Sequence, residues 1–407
     1  MIKARIPLLN DRHTHISFYA ALSAAADLSD CTTLKGALAV LKKQKGPLVV
    51  ARGWRNNCYD LPSGELDKLG PVAVCNVSLH SFRLNKAARK KLAPRYPGII
   101  ARIDDQDWVE RNLNRIFELF TVSGGAGAIP EYMAGLAALG IWAAGDMLVS
   151  SDAAARVLTG KYPGRVTLWT EPEYYKKLGA AARAAVHGIK LFADGALGAR
   201  TAALTGSYRG GGKGVLLHTD AELRALILSA AALTGRVAIH AIGDAALEQV
   251  LTALEQAAGK KKFEARLEHA QLITLEQAQR ARELGVKLCM QPNFSADSTD
   301  YADRLPARYL RGNNPFRMLI DRAGFMPGRD LTFGSDGMPH GAQAALEGAL
   351  FPPYPGQRLS LGEFAAGYCL PDFKAGWIDV AVDEVKKKVR AEVCAGAAGA
   401  AAGFAKI

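Results

Sequence analysis

RVAIHAIGDAALEQVLTALEQAAGKKKFEARLEHAQLITLEQAQRARELGVKLCMQP, residues 236–292, decides the fold. Three short apolar runs, RVAIHAIGD (236–244), EARLEHAQL (264–272) and VKLCMQP (286–292), alternate with two alanine- and leucine-rich stretches, 245–258 and 275–284. Strands of this length separated by helices of this length are βαβ units, and βαβ units build a parallel sheet. The runs are apolar along most of their length, as strands covered on both faces should be.

The same rhythm extends outward. GRVTLWT (164–170), a helix over 174–186, GIKLFAD (188–194) and a helix over 220–234 precede this stretch, and DLTFGSDG (330–337) follows it. Repetition over some 200 residues or more favours a closed (β/α)₈ TIM barrel over a small open sheet. Residues 46–120 fit the rhythm poorly. The expected organisation is a barrel start with the first strand at 1–45, an insertion subdomain at 46–130, the remainder of the barrel at 131–370, and a terminal element with a low-complexity tail at 371–407.

Composition narrows the function classes. The 407 residues are 49% hydrophobic and 22% charged, which is globular composition and argues against disorder. No stretch approaches the roughly 20 uninterrupted apolar residues of a transmembrane helix. The opening MIKARIPLLNDRHTH meets charges too early for a secretory signal, so a soluble cytoplasmic protein is expected. The six cysteines form no CxxC pair, which points to reduced thiols, not to a disulfide framework. A net charge of +12 comes from lysine and arginine clusters without interleaved aromatics, so a basic solvated surface is favoured over nucleic-acid binding.

The eight histidines are few, and their placement carries the chemistry. His13 and His15 stand two apart beside the apolar IPLL, a spacing that puts both imidazoles on one face of a strand. His240 follows VAI, His269 follows RLE, and Asp336 lies in FGSDG, each at or near the end of an apolar run. Singly each has a plain structural reading: a buried hydrogen-bonded histidine, or an aspartate capping a helix. Together, four imidazoles and a carboxylate at strand ends suit a zinc-type site at the mouth of a barrel.

Lys190 is the sixth member. A lysine inside the apolar strand GIKLFAD is costly if charged and unpaired. Two readings stay open: a neutral amine that has taken up carbon dioxide as a bridging carbamate, or an ion pair with a buried acid such as Asp194.

The wording IKLFADGALGARTAAL, IHAIGDAAL, LEHAQL and FGSDGMP, with the HxH at 13–15, resembles the amidohydrolase superfamily. It is most similar to the branch of YtcJ-like proteins and N-substituted formamide deformylases. Gly53-Trp54, PVAV, His80 with Asn85, and GIWAAGDM (140–147) resemble that branch as well, and the likeness spans roughly residues 8–380. The resemblance implies that His13, His15 and Asp336 bind a buried metal, that His240 and His269 bind a more exposed one, and that carboxylated Lys190 bridges them. It implies two zinc ions, with one ion or manganese or cobalt as variants. It further implies a hydroxide generated from bound water, attack on a carbonyl, and Asp336 as proton shuttle to the departing nitrogen.

Departures from the family pattern are the early position of the HxH, Arg12 in place of a small residue, and FKAGWIDVAVDEVKKKVRAEVCAG (373–396) as only a shortened accessory β-sandwich. The expected function is hydrolysis of a carbon–nitrogen bond of amide or N-formyl type. A barrel that has lost its chemistry and binds a partner, and an isomerase or lyase using the same metals, are the alternatives. Trp54, His80, Arg308 and His340 are the candidate substrate contacts, and His187 and His218 read as structural or exposed. The partner expected is a small-molecule substrate, with no nucleic acid and no membrane, and with homodimerisation left open.

Overall fold

A computed structural model describes residues 2–396 except 56–57, 77–80, 106–107, 110–111, 122–124, 259–261 and 338. Two compact units divide the chain: residues 1–16 with 133–407, and residues 17–132.

In the larger unit, eight strands form one sheet. They are β2 (Leu9–Thr14), β7 (Ile141–Asp146), β8 (Val166–Thr170), β9 (Val186–Phe192), β10 (Arg236–Ala241), β11 (Glu264–His269), β12 (Lys287–Met290) and β13 (Leu331–Phe333), in that spatial order. Every pairing between neighbours is parallel. The end of β13 returns to β2: the Asp336 N–H donates to the His13 carbonyl at 2.7 Å, and the Ser335 N–H donates to Asp11 Oδ1 at 2.9 Å. The expected (β/α)₈ barrel is therefore the observed one, and its strand ends gather at one mouth.

Helices between the strands form for readable reasons. Asp220–Thr234 begins with a reciprocal cap between Thr219 and Glu222 and ends on Gly235 at φ +72°. It buries Leu223, Ile227, Ala230 and Ala231, spaced along a single helical face. Leu275–Glu283 uses the same device with Thr274 and Gln277. The single helix expected over 174–186 is instead two, Pro172–Lys177 and Ala180–Ala185. The chain breaks at Leu178-Gly179, where the Gly179 N–H is taken by Asp152 Oδ1 at 2.8 Å.

A second sheet of this unit runs β1 (Ile2–Pro7), β14 (Gly376–Asp383) and β15 (Lys388–Ala395), all antiparallel. Residues alternate strictly between buried and half-buried along β14, the signature of a strand with one face on a core. The stretch 373–396, expected as a shortened accessory β-sandwich, supplies two of the three strands of this small sheet, and the third is β1. Gln343 caps its β15 edge, accepting from the Ala391 N–H at 2.9 Å and donating to the Val389 carbonyl at 2.8 Å.

The smaller unit holds a four-stranded sheet of β3 (Ala26–Asp27), β4 (Val49–Trp54), β5 (Val72–Asn76) and β6 (Phe82–Leu84). It begins at residue 17, earlier than the boundary at 46 read from the sequence. The reason is pairing: β3 lies parallel to β4, with Ala26 opposite Ala51, and helix Leu34–Lys43 buries Ala37 and Leu41 in the same cluster as Ala51, Trp54 and Val72.

Candidate metal centre

β2 delivers His13 with 1% of its side chain exposed, and His15 follows one residue past the strand end. β13 delivers Asp336 through Gly334 and Ser335. Asp336 sits in the left-handed region at φ +53°, an unusual state for a residue with a side chain. Two bonds hold it there: its own N–H to the His13 carbonyl, and the Gly337 N–H to Ser335 Oγ at 2.9 Å. The result is convergence. His15 Nε2 lies 3.1 Å and His13 Nε2 3.5 Å from the same oxygen, Asp336 Oδ1. Ligand atoms of these three residues lie within 4.8 Å of one another, close enough to hold one cation.

His269 and His240 complete the ring. The His269 ring centre is 4.8 Å from that of His13 and 4.5 Å from that of His240. His269 also takes a left-handed backbone, φ +69°, which turns a strand-end residue back over the mouth. Its Nδ1 lies 2.7 Å from Gln291 Oε1, an acceptor that keeps the proton on Nδ1 and the lone pair on Nε2. His240 is arranged the other way round. Its Nε2 lies 3.1 Å from the Gly195 carbonyl and 3.4 Å from Asp194 Oδ1, so Nδ1 is the atom left for a cation.

Lys190 lies within β9, opposite Ala238 of β10, and is wholly buried. Its Nζ has no hydrogen-bond partner among the described residues. The pairing with Asp194 is not what is found: Asp194 instead accepts from the backbone N–H groups of Ala203, Ile242 and Gly243 at 2.9, 3.0 and 2.9 Å. A buried ammonium with no partner is costly. Burial pushes the Lys190 amine down to about 8, against the opposing pull of Glu268 and Asp336. Its Nζ lies 5.0 Å from the centre of the Phe192 ring, and an easily neutralised amine of this kind beside imidazoles and a carboxylate fits a divalent-metal centre.

Burial likewise lowers His13 to about 4 and holds His269 well below the ordinary histidine value, with neighbouring positive groups adding to both. These imidazoles are neutral and ready to coordinate. Burial alone would raise Asp336, yet the facing His13 and His15 hold it well below the usual carboxylate range.

Of the candidate substrate contacts, His340 is at the centre: its Nε2 lies 2.9 Å from Thr14 Oγ1, between the two histidines of the HxH in sequence. Arg308 is exposed on helix Ala307–Gly312, where it donates to the Tyr309 hydroxyl at 3.2 Å, and no described contact joins it to the six ligand candidates. Trp54 is buried in the core of the smaller unit, its indole donating to the Tyr59 carbonyl at 3.0 Å. His80 lies outside the described residues.

The residues missed from the sequence are those behind the candidate ligands. Glu268 is fully buried, with Oε2 2.6 Å from His13 Nδ1. Arg266 pairs with its other oxygen and rests on the Trp169 ring at 4.6 Å. The signal was present: in ARLEH, Arg266 and Glu268 stand two apart on one face of an apolar strand, the spacing that singled out His13 and His15.

A profile of the amidohydrolase family matches residues 3–343. The chain belongs to the amidohydrolase family. It is 27% identical over 362 residues to the protein assigned as amidohydrolase YtcJ from Bacillus subtilis (strain 168), covering 77% of this chain and 67% of that one. Two solved structures share its fold. An uncharacterized metal-dependent hydrolase from Pyrococcus furiosus has a TM-score of 0.69 at 24% identity, over 89% of this chain and 80% of that one. Another from Pyrococcus horikoshii has a TM-score of 0.67 at 23% identity, over 86% and 74%. This amidohydrolase is thus a metal-dependent hydrolase, and its family implies a divalent cation. Among its described residues no helix is long and apolar enough to cross a membrane.

Proposed function

We propose that this amidohydrolase cleaves a carbon–nitrogen bond, of amide or N-formyl type, in a small-molecule substrate. The observation that carries the reading is the convergence of two imidazole Nε2 atoms on one oxygen of Asp336, with the buried Lys190 amine making no hydrogen bond among the described residues. His13, His15 and Asp336 would hold one zinc ion and His240 and His269 a second. Lys190 would bridge them after its neutral Nζ bonds to the carbon of carbon dioxide and releases a proton. Cations held there lower the pKa of a water towards neutrality and polarise the substrate carbonyl.

The chain's own part follows from its atoms. Asp336, with Oδ1 turned to the histidines, is the carboxylate placed to carry a proton. It takes that proton from the water as oxygen adds to the carbonyl carbon, and returns it to the nitrogen as the C–N bond breaks. His340, held by Thr14 beside the HxH, would be a substrate contact. Lowered to about 4 by burial, it would make that contact as a neutral imidazole.

A screen of N-acyl and N-formyl amines with zinc-loaded protein, reading released amine and acid, tests the assignment. Turnover that disappears in Asp336→Asn supports it. Hydrolysis of esters or phosphates with no amide or formamide turned over contradicts it.

A further inference from the structure

The pair of half-buried Arg266 and fully buried Glu268 has no part in the chemistry just described, and placing a buried carboxylate in a barrel core is expensive unless it serves something. Both oxygens of Glu268 are in use. Oε1 takes the Arg266 guanidinium, and Oε2 lies 2.6 Å from His13 Nδ1. Arg266 in turn is fixed on three sides: by Glu268, by the Trp169 ring at 4.6 Å, and by the Arg12 carbonyl at 3.4 Å, one residue before His13. The whole pair therefore leans on β2 at the HxH.

We propose that Glu268 is a positioning residue for the metal centre, acting through His13, with Arg266 as the counter-ion that lets a carboxylate stay ionised there. This rests on the reading of His13 as a metal ligand. A carboxylate at Nδ1 keeps the proton on that nitrogen, places the lone pair on Nε2 facing Asp336, and makes the imidazole a stronger donor. It also fixes the ring against rotation, which the backbone of β2 alone does not do.

His13, Glu268 and Cys289 also present ligand atoms within 4.8 Å of one another. A cation among them would have to displace both the histidine and the guanidinium from Glu268, and Arg266 already supplies the positive charge at that point. The carboxylate serves the histidine and not an ion of its own.

The test compares zinc affinity by chelator competition, the visible spectrum of the cobalt form, and the melting of metal-free protein in wild type, Glu268→Gln and the double variant Arg266→Met/Glu268→Gln. The double variant removes both charges of the pair, so it guards against a single variant that fails to fold with Arg266 unpaired. Outer carboxylates of this kind are worth about 10–100-fold in metal affinity. The expected result is zinc affinity lower by that factor and a changed cobalt spectrum in whichever variants melt, metal-free, as cooperatively as wild type. A merely structural role would move the melting of metal-free protein and leave affinity and spectrum alone. Variants that bind zinc within threefold of wild type, with an unchanged cobalt spectrum, overturn the proposal while leaving the metal centre standing. Wild-type protein that takes up no zinc or cobalt is a separate result and overturns the reading of His13 on which the proposal rests.

Discussion

The backbone N–H of Asp336 donates to the carbonyl of His13 at 2.7 Å, and this bond joins the last barrel strand to the first. It makes the closure of the barrel and the assembly of the His13–His15–Asp336 triad one event. Asp11 reinforces the seam from below, accepting from the N–H of Ser335 and of His13 at 2.9 and 3.2 Å and from Ser335 Oγ.

Asp11→Ala should therefore affect both fold and site. Two buried N–H donors lose their acceptor, at a cost of about 2–4 kcal/mol in unfolding free energy. Denaturant melts of the metal-free protein check the stability, and metal titration should show weaker binding at the triad. Unchanged stability would mean that the seam is held by backbone bonds alone.

Asp336→Asn should retain part of its metal and lose about 10²- to 10⁴-fold in kcat, the usual worth of a positioned acid–base group. The amide still offers an oxygen to a cation but holds no transferable proton. Metal analysis and kcat measured on the same preparation separate the two roles.

Lys190→Ala should lose metal and activity together, and acetate or formate should restore a fraction of both by standing in for the carbamate. Lys190→Arg should restore nothing, because a guanidinium stays charged and cannot form a carbamate. With ¹³C-labelled bicarbonate, wild-type protein should show a carbamate resonance that both variants lack.

The pH dependence of reconstitution follows from the amine. Burial lowers Lys190 to about 8, so the reactive neutral form is the minor one below that pH and the major one above it. At fixed carbon dioxide pressure, the rate at which metal-free protein regains activity should rise about tenfold per pH unit up to about 8 and then level off. A rate flat from pH 6 to 9 would point to a site that assembles without the carbamate.

The barrel was legible because its strands are short apolar runs with polar or ligating residues at their ends, and both features survive in a bare sequence. His13, His15, His240, His269 and Asp336 stand out for the same reason, and Lys190 stands out as a charge in an apolar run. Arg266 and Glu268 obey that logic too, but a salt-bridged pair reads as ordinary polarity until its burial is seen. The start of the smaller unit at residue 17 was hidden because β3 has only two residues, and its membership is decided by pairing with β4. The pairing of β1 with β14, joining Ile2 to Val382, spans almost the whole chain and leaves no local mark. The left-handed turns at His269 and Asp336, which aim both side chains over the mouth, follow from tertiary bonds and not from residue type.

The most direct measurement is anomalous diffraction at the zinc edge from crystals grown with zinc and bicarbonate. One peak is expected roughly 2.0–2.2 Å from His13 Nε2, His15 Nε2 and an Asp336 oxygen, and a second beside His240 Nδ1 and His269 Nε2. Planar density should extend from Lys190 Nζ between the two. Crystals grown this way with no anomalous peak at the triad would contradict the metal-centre assignment.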